Sequence, residues 1–135
     1  MQRLNAPLDV DFINKTFFPN DIPKDINTGR CFLWAYIAFQ MYQGVQLWDF
    51  GTHAFVRYRG NFYDSERPQG EADWKDLPAT NFGKGCGCSR CHKPAHRVTV
   101  NQFKHTEYWG RNARNRQINW GTIRSQVEQI IVELS

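Results

Sequence analysis

The stretch from Arg30 to about Gln43 constrains this chain most, because Phe32, Leu33, Trp34, Tyr36, Ile37, Phe39 and Met41 leave a helix there almost no polar face. A helix that is apolar all round must be covered on every side, so it belongs at the centre with other elements layered around it. The chain is long enough to do this. A domain of 135 residues buries roughly two thirds of the surface its unfolded chain exposes, so residues 1–135 are expected to form one domain without disulfide staples. The hydrophobic fraction of 41%, with 15% aromatic, is that of a globular chain. No apolar run approaches the length of a membrane span, so no membrane partner is expected.

The central helix opens on Asn27-Thr28-Gly29-Arg30-Cys31, a polar turn that delivers a cysteine into the first helical turn. Unpaired N–H groups and the macrodipole at a helix start favour the anionic, nucleophilic form of a thiol. About twenty residues on, 51–66 reads as a hairpin turning at Arg59-Gly60-Asn61, with His53 on one strand and Asp64 and Glu66 on the other. A cysteine nucleophile needs an imidazole within hydrogen-bonding reach, and the imidazole needs an acceptor to orient it. Cys31, His53 and Asp64 or Glu66 supply those chemistries. If Gly60-Asn61 forms a two-residue turn, Asp64 faces Arg57, about 13 Å from His53, and Glu66 faces Phe55, one diagonal step from His53. A bulge, a wider loop or strand curvature would favour Asp64, which is kept as the first choice.

The remaining elements are read around this centre. Residues 5–19 carry Leu8, Phe12, Ile13 and Phe17 at helical spacing between Asn5 and Pro19, and 20–27 read as a loop. Val45–Phe50 reads as a strand or an extended connection, and residues 71–77 as one or two helical turns. Arg97–Val100 reads as a strand returning to the sheet, followed by a short helix from Asn101 to about Trp109. A last helix starts at Asn119 or Thr122 and carries Ile123, Val127, Ile130, Ile131 and Leu134 as one apolar stripe.

Between about residues 79 and 96 lies a loop dense in soft ligands, and Cys86, Cys88, Cys91 and His96, with His92 as the alternative, make a four-ligand set for one structural zinc. A metal-free thiol loop is the competing reading. Met1-Gln2-Arg3-Leu4-Asn5 lacks the apolar core of a signal peptide, so a reducing cytoplasm is expected. The net charge of +4 draws on Arg111, Arg114, Arg116 and Arg124 near the end. Clustered arginines permit nucleic acid as a partner, although a solvated basic face is the preferred reading of so modest a charge.

Thr28-Gly29-Arg30-Cys31 before an aromatic helix, then His53-Ala54-Phe55-Val56 and Phe62-Tyr63-Asp64, resembles the Cys-His-Asp core of papain-like and transglutaminase-like proteins across residues 28–66. The resemblance implies a compact papain-like α+β fold, with the cysteine-bearing helix packed on a small antiparallel sheet that carries the histidine. It also implies acyl chemistry through a thioester, as a thiol protease, amidase, deamidase or acyl transferase acting on a protein or peptide-like amide or ester. The chain departs from the family pattern in its short spacing from His53 to Asp64. It has no obvious upstream Gln to complete an oxyanion hole, for which Asn14, Asn20 and Asn27 are the substitutes. Cys31 as a small core residue and His53 as a strand opener would each be unremarkable alone. The competing class is a non-catalytic binding module, in which a zinc-ordered loop and basic tail engage nucleic acid or a host protein.

Overall fold

A computed structural model of the chain describes residues 2–50, 53–81, 95–104 and 119–135. The described elements are helices α1 (Val10–Phe17), α2 (Pro23–Asn27) and α3 (Cys31–Met41), then strands β1 (Gln46–Asp49), β2 (Ala54–Tyr58) and β3 (Asn61–Tyr63). Two short 3-10 turns (Trp74–Asp76 and Pro78–Asn81), strand β4 (His96–Val98) and helices α4 (Val100–Lys104) and α5 (Trp120–Leu134) follow. The strands form one antiparallel sheet in the order β3-β2-β1-β4.

Helix α3 lies at the centre, packed on β2 and β1 and covered by α1 and α5. Phe32, Trp34, Ile37 and Met41 are fully buried, and each such side chain stabilises the fold by about 1.5–3 kcal/mol relative to exposure. The period of two along β2 divides the sheet. Ala54, Val56 and Tyr58 join the α3 core, together with Leu47 of β1. Phe55, with Phe62, Phe50 and Leu77, forms a smaller cluster that Trp48, Trp74 and Ala95 partly cover.

Several boundaries differ from the sequence expectation, each for a local reason. α1 begins later than Asn5 because Asp9 is the cap, its carboxylate accepting from the Phe12 N–H at 3.0 Å. Residues 20–27 are partly helical, with Pro23 in the first turn of α2 and the Thr28 hydroxyl donating back to the Lys24 carbonyl at 2.8 Å. α3 stops at Met41 rather than Gln43 because Leu4 pairs with the chain there, donating to the Met41 carbonyl and accepting from the Gln43 N–H. The turns expected over 71–77 begin only at Trp74, since Glu71 instead pairs its backbone with Phe62.

β4 ends at Val98 because Thr99 caps α4: its hydroxyl accepts from the Gln102 N–H while the Gln102 side chain accepts from the Thr99 N–H. The continuation of that helix toward Trp109 lies outside the described residues. Asn119 does cap the last helix. Val127 and Ile131 are buried there, whereas Leu134, expected in the stripe, is 52% exposed at the helix end. No helix among the described residues is long and apolar enough to cross a membrane.

Candidate active site

His53 is held where β1 turns into β2. Asp49 pairs with Ala54, and the Phe50 N–H donates to the His53 carbonyl at 2.9 Å. The next turn decides which acid it meets. Arg59 and Gly60, at φ 49° and 84°, form the two-residue turn, so Tyr58 pairs with Asn61 and Val56 with Tyr63. Positive φ at both central positions matches the twist of the flanking strands. The turn thus falls within the expected Arg59-Gly60-Asn61 stretch but not on the Gly60-Asn61 pair considered from sequence, and each partner on β3 moves by two positions. Asp64 now follows β3 opposite Phe55, and His53 lies one diagonal step away on the same face.

The His53 Nε2 is 3.2 Å from the Asp64 Oδ2. His53 is 2% exposed, Asp64 is fully buried and Cys31 is 2% exposed. The imidazole stacks on the Phe55 ring, with centroids 5.7 Å apart. With Nε2 engaged by Asp64, Nδ1 is a buried nitrogen with no hydrogen-bond partner among the described residues. Burial alone would depress the pKa of this imidazole. The hydrogen bond to Asp64 and then the interaction with Cys31 outweigh burial and push His53 up to about 9. The balance favours the charged form of the ring, whose Nε2 lies against the buried Asp64 carboxylate. Cys31 is the first residue of α3, whose N-terminus carries no side-chain cap, so the positive end of the helix also acts at the sulfur.

Asp64 is fixed by its own turn. Its Oδ1 accepts from the Glu66 N–H at 2.9 Å, and its carbonyl accepts from the Arg67 N–H at 3.2 Å. The same segment is tied to the helices that precede Cys31. Asn14 of α1 donates to the Ser65 carbonyl at 3.0 Å and accepts from the Trp34 indole at 2.8 Å, and the Ser65 hydroxyl donates to the Pro23 carbonyl at 2.7 Å. These supporting groups were not legible as such, since only tertiary contact joins them.

Glu66, the alternative orienting acid, does not bond to His53. Its carboxylate accepts from the Asn27 amide at 2.9 Å. Of the three asparagines considered as oxyanion donors, Asn14 uses both ends of its amide within the fold, Asn27 is bonded to Glu66, and Asn20 is exposed.

Of the zinc candidates, Cys86, Cys88 and Cys91, with the alternative His92, lie outside the described residues. His96 opens β4 opposite Asp49 and is exposed. Among the described residues no group of three or more His, Cys, Asp or Glu side chains is placed to hold a metal. In the basic tail, Arg111, Arg114 and Arg116 lie outside the described residues, and Arg124 pairs with Glu128 at 3.4 Å. The chain matches no family model, no curated protein and no solved structure.

Proposed function

We propose that this protein is a papain-like cysteine hydrolase or acyl transferase that acts on an amide or ester of protein or peptide type, with Cys31 as nucleophile, His53 as proton carrier and Asp64 as its orienting acid. The observation that supports this reading is the buried contact of 3.2 Å between the His53 Nε2 and the Asp64 Oδ2, on an imidazole whose protonated form Cys31 also favours. An imidazolium held beside a thiol at a helix N-terminus is the setting in which sulfur is a nucleophile at neutral pH.

In this scheme the Cys31 sulfur bonds to the carbonyl carbon, and the negative charge that develops on the carbonyl oxygen is stabilised at the start of α3. As the bond to the leaving nitrogen or oxygen breaks, that atom takes the proton from His53. The acyl group remains as a thioester on Cys31. Water, or another nucleophile in a transferase, then gives a proton to His53 as it attacks, and the thiolate leaves. Asp64 keeps the ring oriented and stabilises its charged form throughout.

Alkylation by iodoacetamide, with the modified cysteine identified by mass spectrometry, tests the assignment. Its small size suits a sulfur exposed by only 2%. Cys31 is expected to react near neutral pH far faster than Cys86, Cys88 and Cys91, and His53→Gln should slow it by about a hundredfold. Equally slow labelling of all four, or a Cys31 rate indifferent to the His53 change, would overturn the proposal.

A further inference from the structure

The segment after β3 and the segment before α3 are joined by one side-chain pair that the catalytic scheme does not use. The Asn27 Nδ2 donates to the Glu66 Oε1 at 2.9 Å. Asn27 ends α2 and stands four positions before Cys31. Glu66 stands two positions after Asp64, and its own backbone N–H holds the Asp64 Oδ1 at 2.9 Å. The two oxygens of Asp64 are thus divided between His53 and Glu66. The pair spans the short gap between the nucleophile's approach and the acid's turn.

The amide orientation has a cost. A carboxylate only accepts, so Asn27 must turn its NH2 toward Glu66, and this leaves the Asn27 Oδ1 buried with no partner among the described residues. An unsatisfied buried carbonyl is unfavourable. The contact is kept despite that penalty, at the point where the acid's turn meets the nucleophile's approach. Arg67 braces the same turn from the other side, donating to the Glu66 carbonyl and to the Glu71 carboxylate, each at 3.1 Å.

We propose that Glu66 and Asn27 are positioning residues that lock the Asp64 carboxylate against His53 and hold the turn before Cys31 in register with it. This rests on the catalytic reading of Cys31, His53 and Asp64. Glu66 acts through the orientation of Asp64, not on the reacting atoms, and the two side chains act as one unit.

The test compares wild type with Glu66→Ala, Asn27→Ala, the double variant and Glu66→Gln, which retains an oxygen to accept from Asn27. Two quantities are measured: the His53 titration by NMR, and the pH profile of Cys31 alkylation by iodoacetamide. Loosening Asp64 weakens the interaction that raises the His53 pKa, so both single Ala variants should titrate His53 at lower pH. They should also alkylate Cys31 about tenfold more slowly at neutral pH, because small displacements of catalytic groups are expensive. The double variant should be no worse than either single one, and Glu66→Gln should stay close to wild type.

A lowered melting temperature with an unchanged His53 titration and alkylation profile would overturn the positioning role and leave only a structural contact. Additive losses in the double variant would overturn the coupling. A wild-type Cys31 whose alkylation does not depend on His53 would instead overturn the catalytic reading itself.

Discussion

At the scale of single residues, the charge state of His53 is the property on which the site turns. Its pKa is pushed to about 9 from an ordinary 6.5 by Asp64 and Cys31, against the opposing effect of burial. Asp64→Asn leaves a carbonyl oxygen able to face Nε2 but removes the charge, and Cys31→Ser removes the sulfur. Each substitution is expected to bring the His53 titration below that of wild type, as read by NMR of the imidazole. The same shift sets a pH dependence of stability. A group whose pKa is higher in the folded than in the unfolded chain binds more protons when folded, so its contribution is complete below about pH 6.5 and is lost as pH rises through about 9. The difference in unfolding free energy between wild type and His53→Gln, measured by denaturant titration at several pH values, should shrink across that interval. A difference that grows toward alkaline pH would show that His53 is not held as an imidazolium in the fold.

Among the elements, the turns do the aligning, and two glycines in turns flanking β3 separate backbone strain from steric conflict. Gly60 sits at φ 84° in the β2–β3 turn with open space where a Cβ would be, so Gly60→Ala should cost only the left-handed backbone penalty of about 1–2 kcal/mol. Gly70 has φ 74°, and a Cβ there would lie 2.7 and 2.8 Å from atoms of the Tyr63 ring. Gly70→Ala therefore adds a clash to the backbone strain and should destabilise more than Gly60→Ala in the same denaturant assay. Tyr63 is the neighbour of Asp64, so the Gly70 variant should also slow Cys31 alkylation, whereas Gly60→Ala should leave it nearly unchanged. Equal losses in both variants would mean that Tyr63 yields freely and does not help hold the acid.

For the molecule as a whole, α3 is the shared element: its sides pack on the sheet, α1 and α5, and its first residue is the thiol. Ile37 is 1% exposed in the middle of that packing. Ile37→Ala is expected to cost about 2–5 kcal/mol, the range for deleting a buried branched side chain. Because the helix touches each layer of the larger core, the loss should appear as one shifted unfolding transition. Two separate transitions by circular dichroism and tryptophan fluorescence would show that the sheet side and the α5 side melt independently.

The sequence by itself determined the central helix, because seven large apolar side chains within Phe32–Met41 leave no face for water. It also determined that Cys31 begins this helix, and that an imidazole and two carboxylates follow on the two flanks of one hairpin. Tertiary structure decided which carboxylate meets His53. A turn at Arg59-Gly60 instead of Gly60-Asn61 exchanges every partner across the hairpin by two positions, and local propensity at three adjacent turn residues does not separate those choices. It likewise decided the duties of Asn14 and Asn27, whose partners Ser65 and Glu66 lie 51 and 39 positions away. Helical and strand periodicities report which face of an element is buried. They carry no record of which distant side chain will complete a hydrogen bond, because that depends on how the elements pack.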